Sequence, residues 1–416
     1  METTRRNFLA AAGAAVSAPM ILGATDKAGT KLPILGSGEH TYECIHDWGE
    51  LPSHIKYGNT HSVCEDSQGH IYIHHTVHKN SQSPDSVVVF DSKGKFVRSF
   101  GPMFRGGAHG MHLNKEGKTE YLYFCDEKHG IVTKRTLKGE EVWTMGYPQD
   151  SPIYQKGPGS TGPGGAAGLN YRPTNFAIAP NLDFWVGDGY GSYYMFHYTQ
   201  ASSTAYPKLV KTFGGPPAGQ TPGGGRGPGG PGRGPGGGAR GGPGGPGGPQ
   251  GAAAGAGPRG PANPPPPGQP GVPRDVPIES MNNPHGNMVD LRDPGNPILL
   301  VADRGNNRIV RYKLDDTPID VVAGTKSPCH FHTYKETVVV PDLQARVTLL
   351  DKDNKIILHL GEPTKPNPPR TTENREDFIP GQFVQPHGAI FDHAGNLFVV
   401  EWVEIGRVTK LRKVSA

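Results

Sequence analysis

Histidine is the residue type with most chemistry to offer in this sequence. The chain holds 18 of them, and neutral imidazole is both the commonest side-chain metal ligand and the natural proton carrier near neutral pH. Three stand in similar text: AHGM at His109, PHGN at His285 and PHGA at His387. His61 and His330 head comparable apolar runs. Three neutral imidazoles plus an open position form the ligand set of a catalytic zinc site, with zinc favoured by the all-nitrogen donors. The bland alternative is that Pro-His-Gly is a turn into a strand. The four cysteines, Cys44, Cys64, Cys125 and Cys329, contain no CxxC, so a thiolate zinc site has no support. Four cysteines allow three pairings and no spacing selects one. They read as buried structural thiols or one disulfide.

Histidines so far apart need a scaffold that brings them together. Six segments share one plan of four short strands punctuated by Asp, Asn and Gly turns: 61–101, 109–146, 173–215, 284–324, 328–362 and 386–414. Period-2 alternation and turn residues at fixed offsets mark strands. A four-stranded unit of roughly 40 residues is a propeller blade, so six units predict an all-β, six-bladed β-propeller. No amphipathic helix separates the strands, which disfavours a parallel α/β sheet. The sixth unit needs an N-terminal strand, around Cys44–Trp48, to close the ring. The first strand of each blade lines the central channel, and its opening register carries His61, His109, Asn175, His285, His330 and His387. His109, His285 and His387 fall in blades two, four and six, about 120° apart around one axis.

The text VADRGNNRIVRY at 301–312 resembles the NHL family of propellers, which names a scaffold and not a reaction. A closer resemblance is to the lyase domain of peptidylglycine α-amidating enzymes, itself a six-bladed NHL-type propeller. That family holds zinc with three histidines from alternate blades in PHG-like text, matched here by His109, His285 and His387. Its DGY motif, carrying a catalytic tyrosine, matches Asp188-Gly189-Tyr190, and its ADR motif, carrying a catalytic arginine, matches Ala302-Asp303-Arg304. The resemblance implies zinc-assisted C–N cleavage of a peptide-like α-hydroxylated amide, with Tyr190 moving a proton and Arg304 holding negative charge. A structural Ca2+ is a further candidate. There are departures. Where the family has a second essential arginine, this chain has IYIHHTVHK with His75 at about that place, and Gln385 replaces a methionine before His387. The family's paired cysteines near the tyrosine and arginine are missing. His61 and His330 are extra. His61, His75 and His330 are therefore expected to contact substrate, with a second cation at His61 and His330 as the alternative.

The rest of the chain sets the context. Arg5-Arg6 before a modest apolar run resembles a bacterial twin-arginine export signal over residues 1–24, implying a periplasmic or secreted protein. No later segment is long and apolar enough to span a bilayer. The chain holds 61 Gly and 42 Pro, concentrated in 214–276. That stretch lacks apolar patterning and a Gly-X-Y period, so it is expected to be a disordered insert, able to tether a protein partner, between blades one to three (40–213) and four to six (277–416). A net charge of +4, from 42 basic and 38 acidic residues, gives no case for nucleic acid. Two rival readings remain: a non-catalytic NHL propeller that binds or scaffolds, and a lactonase-like propeller. The latter needs Glu, Asn and Asp ligands, of which only Asn175 is present.

Overall fold

The computed structural model describes residues 23–25, 31–154, 171–218 and 276–414. Nearly all of the expected export signal and of the Gly/Pro-rich insert lies outside these residues. The described chain is an all-β, six-bladed propeller. Five blades are four-stranded antiparallel sheets whose strands follow chain order. Blade four is typical, running Pro284–Asp290, Ile298–Asp303, Arg308–Lys313 and Pro318–Val322. Blade six supplies three strands, Pro386–Phe391, Leu397–Glu401 and Arg407–Lys413. Its fourth is His40–Ile45, with Leu411 opposite Cys44. The ring thus closes through the N-terminal segment, as expected, but with the strand a few residues earlier than Cys44–Trp48. Two short strands, Lys31–Ser37 and Gly23–Thr25, extend this sheet outward.

The core lies between blades. Strand side chains alternate faces, so each middle strand feeds two interfaces. Leu299 and Val301 pack against blade three with Trp185 and Met195, while Leu300 and Ala302 pack against blade five with Val338 and Val340. Six such clusters join the blades in a closed ring. Both faces of a middle strand are therefore covered, and it reads as a continuous apolar run such as ILLVA. Polar alternation survives only in outer strands such as Pro318–Val322. All four cysteines are buried free thiols, with no disulfide.

A buried anchor ends the second strand of each blade. Asp303 accepts from Arg308 Nε at 2.7 Å and from the Asn282 amide at 2.8 Å. Asp126, Asp188, Asp342 and Glu401 hold their own turns in the same way, with His129, Ser192, Arg346 and Arg407 as partners. In blade one the slot holds His75, opposite Thr60 as Asp303 is opposite Pro284.

Candidate metal centre and its surroundings

Three histidines converge by one device repeated in alternate blades. His109 Nδ1 donates to the Thr174 carbonyl at 2.7 Å, His285 Nδ1 to the Cys329 carbonyl at 2.8 Å, and His387 Nδ1 to the His61 carbonyl at 3.0 Å. Each acceptor belongs to the next blade. The glycine after each histidine makes this approach feasible. A Cβ on Gly110 would stand 2.3 Å from the Thr174 oxygen, on Gly286 2.5 Å from the Cys329 oxygen, and on Gly388 2.7 Å from the His61 oxygen. The His-Gly text is thus a device for aiming imidazoles, not only a turn. The ring centroids lie 4.8 Å (His109–His285), 4.9 Å (His109–His387) and 4.7 Å (His285–His387) apart.

A carbonyl can only accept, so Nδ1 carries the proton in all three rings and each Nε2 presents a lone pair. Tyr190 Oη lies 3.2 Å from both His109 Nε2 and His285 Nε2. A phenol has one proton, so it satisfies only one of these nitrogens. His387 Nε2 is buried with no protein partner. An unpartnered Nε2 beside two that compete for one phenol proton is a donor set able to accept a cation. Burial drives the His109, His285 and His387 pKa values down, His387 to about 3, with neighbouring histidines and Arg304 adding to the effect. The imidazoles are neutral, as ligands must be.

His61 joins this group more closely than a substrate contact would require. Its ring is 4.9 Å from His109 and 4.5 Å from His387, and its Nδ1 is buried without a partner. Donor atoms of His61, His109 and His387 all lie within 4.8 Å of one another; so do those of His285, Cys329 and His387. His330 instead donates from Nδ1 to the Ala389 carbonyl at 3.1 Å, two residues beyond His387, and no ring contact joins it to the four. His75 is not brought to the chamber. It fills the anchor slot of blade one, its Nδ1 accepting from the Val77 amide at 3.1 Å and its ring packing on Tyr57.

Arg304 and Tyr190 follow the anchors Asp303 and Asp188. Because Arg308 takes Asp303, Arg304 is left to lie against the Tyr190 ring, 5.1 Å from its centroid. Burial raises the Tyr190 pKa and Arg304 opposes the rise. Arg172 packs on the same ring at 5.2 Å and lines a cavity of about 440 Å3 with Tyr171, Tyr147 and His129. Its guanidinium already grips a carboxylate, taking Glu127 Oε2 through Nε at 2.8 Å and through Nη2. The sequence reading missed Arg172 and Cys329. Both sit just before the first strand of a blade but off the histidine register, Arg172 three residues ahead of Asn175 and Cys329 one ahead of His330.

No family model and no curated protein matches the chain. Solved structures resemble it at low identity. A streptogramin B lyase is 10% identical with a TM-score of 0.47, covering 91% of this chain and 99% of its own. Virginiamycin B lyase from Staphylococcus aureus is 10% identical with a TM-score of 0.46, covering 90% and 100%. A gluconolactonase from Xanthomonas campestris is 11% identical with a TM-score of 0.46, covering 98% and 99%. The fold rests on the chain's own sheet topology, and these likenesses add nothing about chemistry.

Proposed function

We propose that the chain is an exported metal-dependent lyase that breaks the C–N bond of an N-acyl-α-hydroxyglycine or a similar α-hydroxylated amide, releasing an amide and an aldehyde acid. One observation carries the reading: the Nε2 of His387 has no partner, and the Nε2 atoms of His109 and His285 compete for the single proton of the Tyr190 hydroxyl. The donor set fits zinc, which would polarise the substrate hydroxyl and lower its pKa. Tyr190 Oη acts as the relay. It accepts the hydroxyl proton and passes its own to the amide nitrogen as that nitrogen leaves with the C–N electron pair. The carbon–oxygen bond becomes a carbonyl, so proton and electron pairs balance with no redox partner. Arg304, packed on the relay, faces the negative charge that builds on oxygen. Arg172, on the same tyrosine ring, would take the substrate carboxylate by exchanging it for Glu127, standing in for the arginine that blade one lacks.

Steady-state kinetics on paired substrates with and without the α-carboxylate test these roles. Tyr190→Phe should lower kcat by about 10²–10⁴, the usual worth of a positioned proton carrier, with bound zinc unchanged. Arg172→Gln should raise KM for the carboxylate substrate alone. Equal loss on both substrates would remove Arg172 from recognition, and full activity of Tyr190→Phe would remove the relay.

A further inference from the structure

The chamber contains a sulfur donor that neither the histidine register nor any cysteine spacing points to. Cys329 precedes His330 on the way into blade five. Its carbonyl orients His285. Its Sγ lies with His285 and His387 in a set whose donor atoms are all within 4.8 Å of one another, each residue buried. The thiol has no disulfide partner. Its sulfur lies 3.5 Å from the Ser327 carbonyl and 3.9 Å from Arg304 Nη1. His387, 3% exposed, presents an Nε2 with no protein partner to this set. The other three cysteines belong to no such group among the described residues.

We propose that Cys329 is a metal ligand, and that the chamber offers one cation two alternative three-donor sets sharing His387. The all-imidazole set is His109 and His387 with His285, as in the proposed lyase, or with His61 in its place. The sulfur-containing set is His285, Cys329 and His387. Soft thiolate donors select soft cations such as Cd2+ or Cu+, whereas imidazole alone suits Zn2+. The sets exclude one another because His387 has one free donor. Its Nδ1 is committed to the His61 carbonyl at 3.0 Å, so it cannot bridge two ions. The site therefore takes one cation per chain, and the cation's softness decides which residues hold it. A soft cation drawn to Cys329 leaves His109 without metal. This inference rests on the proposed metal centre, but not on its reaction.

Cobalt is a suitable probe, because a cobalt–thiolate bond absorbs in the near ultraviolet and a cobalt–imidazole bond does not. The full chain is stripped with chelator and titrated with Co2+, then with Cd2+. The expected result is one Co2+ per chain without a thiolate band, replaced by Cd2+ with a cadmium–thiolate charge-transfer band in the ultraviolet. Cys329→Ser should lose the band, retain cobalt and lose affinity for Cd2+ more than for Zn2+. X-ray absorption on the cadmium-loaded wild-type chain reads the same point without a variant, and should show one sulfur neighbour beside nitrogen. Cadmium bound with no thiolate band and with nitrogen neighbours alone overturns the role of Cys329 and leaves the proposed lyase standing. A chain that binds no cobalt, zinc or cadmium overturns both.

Discussion

His109, His285 and His387 owe their aim to the glycine that follows each of them. The carbonyl of the next blade comes so close to Gly110, Gly286 and Gly388 that a methyl group there would collide with it. Gly286→Ala should push the Cys329 carbonyl away, release His285 Nδ1 and weaken zinc binding by about 10–100-fold, the usual effect of losing a partner that orients a ligand. A competition titration against a chromophoric chelator measures this, and unchanged affinity would reduce the His-Gly pairing to a turn. Because glycine and histidine both leave a mark in the text, this part of the site was legible in the sequence. Cys329 and Arg172 were not, since they reach the site through contacts between blades that no spacing along the chain records.

Elements position the remaining groups. Tyr190 and Arg304 stand one or two residues beyond a buried acidic anchor, so the anchor fixes where the loop leaves the sheet. The ADRGNNR text contains two arginines, and structure separates their roles: Arg308 is the anchor's partner and Arg304 packs on the tyrosine. Removing one member of a buried pair strands the other charge. Arg308→Ala should therefore cost roughly 3–5 kcal/mol in denaturant unfolding, and a loss within about 0.5 kcal/mol, as for ordinary surface positions, would contradict the anchor. Arg304→Ala should spare stability by comparison and cost turnover. The blades were legible because turn residues recur at fixed offsets. The strand alternation was less so, because middle strands are covered on both faces. His75 reads as a substrate contact because the resemblance puts an essential arginine at about its place; the structure instead gives it the blade-one anchor slot, which Asp or Glu fills in the other five blades.

The whole ring depends on its seam. His46 follows the closing strand; its Nε2 accepts from the Gly381 amide at 3.0 Å and its Nδ1 donates to Thr409 Oγ1 at 2.8 Å. Burial, with Arg407 and Arg375 adding to it, lowers the His46 pKa from 6.5 to about 3. The unfolded chain takes up this proton first, so its contribution is full above about pH 6.5 and is lost as the pH falls towards 3. Unfolding midpoints across that window should fall with acid, and His46→Gln should flatten the slope; an equal slope in both proteins would clear His46 of the effect. Closure of the seam gives six blades one axis, and the axis gives the histidines a common point. We propose that this point holds a metal which the chain uses to break a C–N bond. Glyoxylate release from an N-acyl-α-hydroxyglycine by the purified chain, before chelation, after it, and after zinc is returned, tests this. Chelation should abolish the release and zinc should restore it. Absence of chelator-sensitive release from that substrate and from its α-hydroxylated amide analogues would contradict it and favour a propeller that only binds.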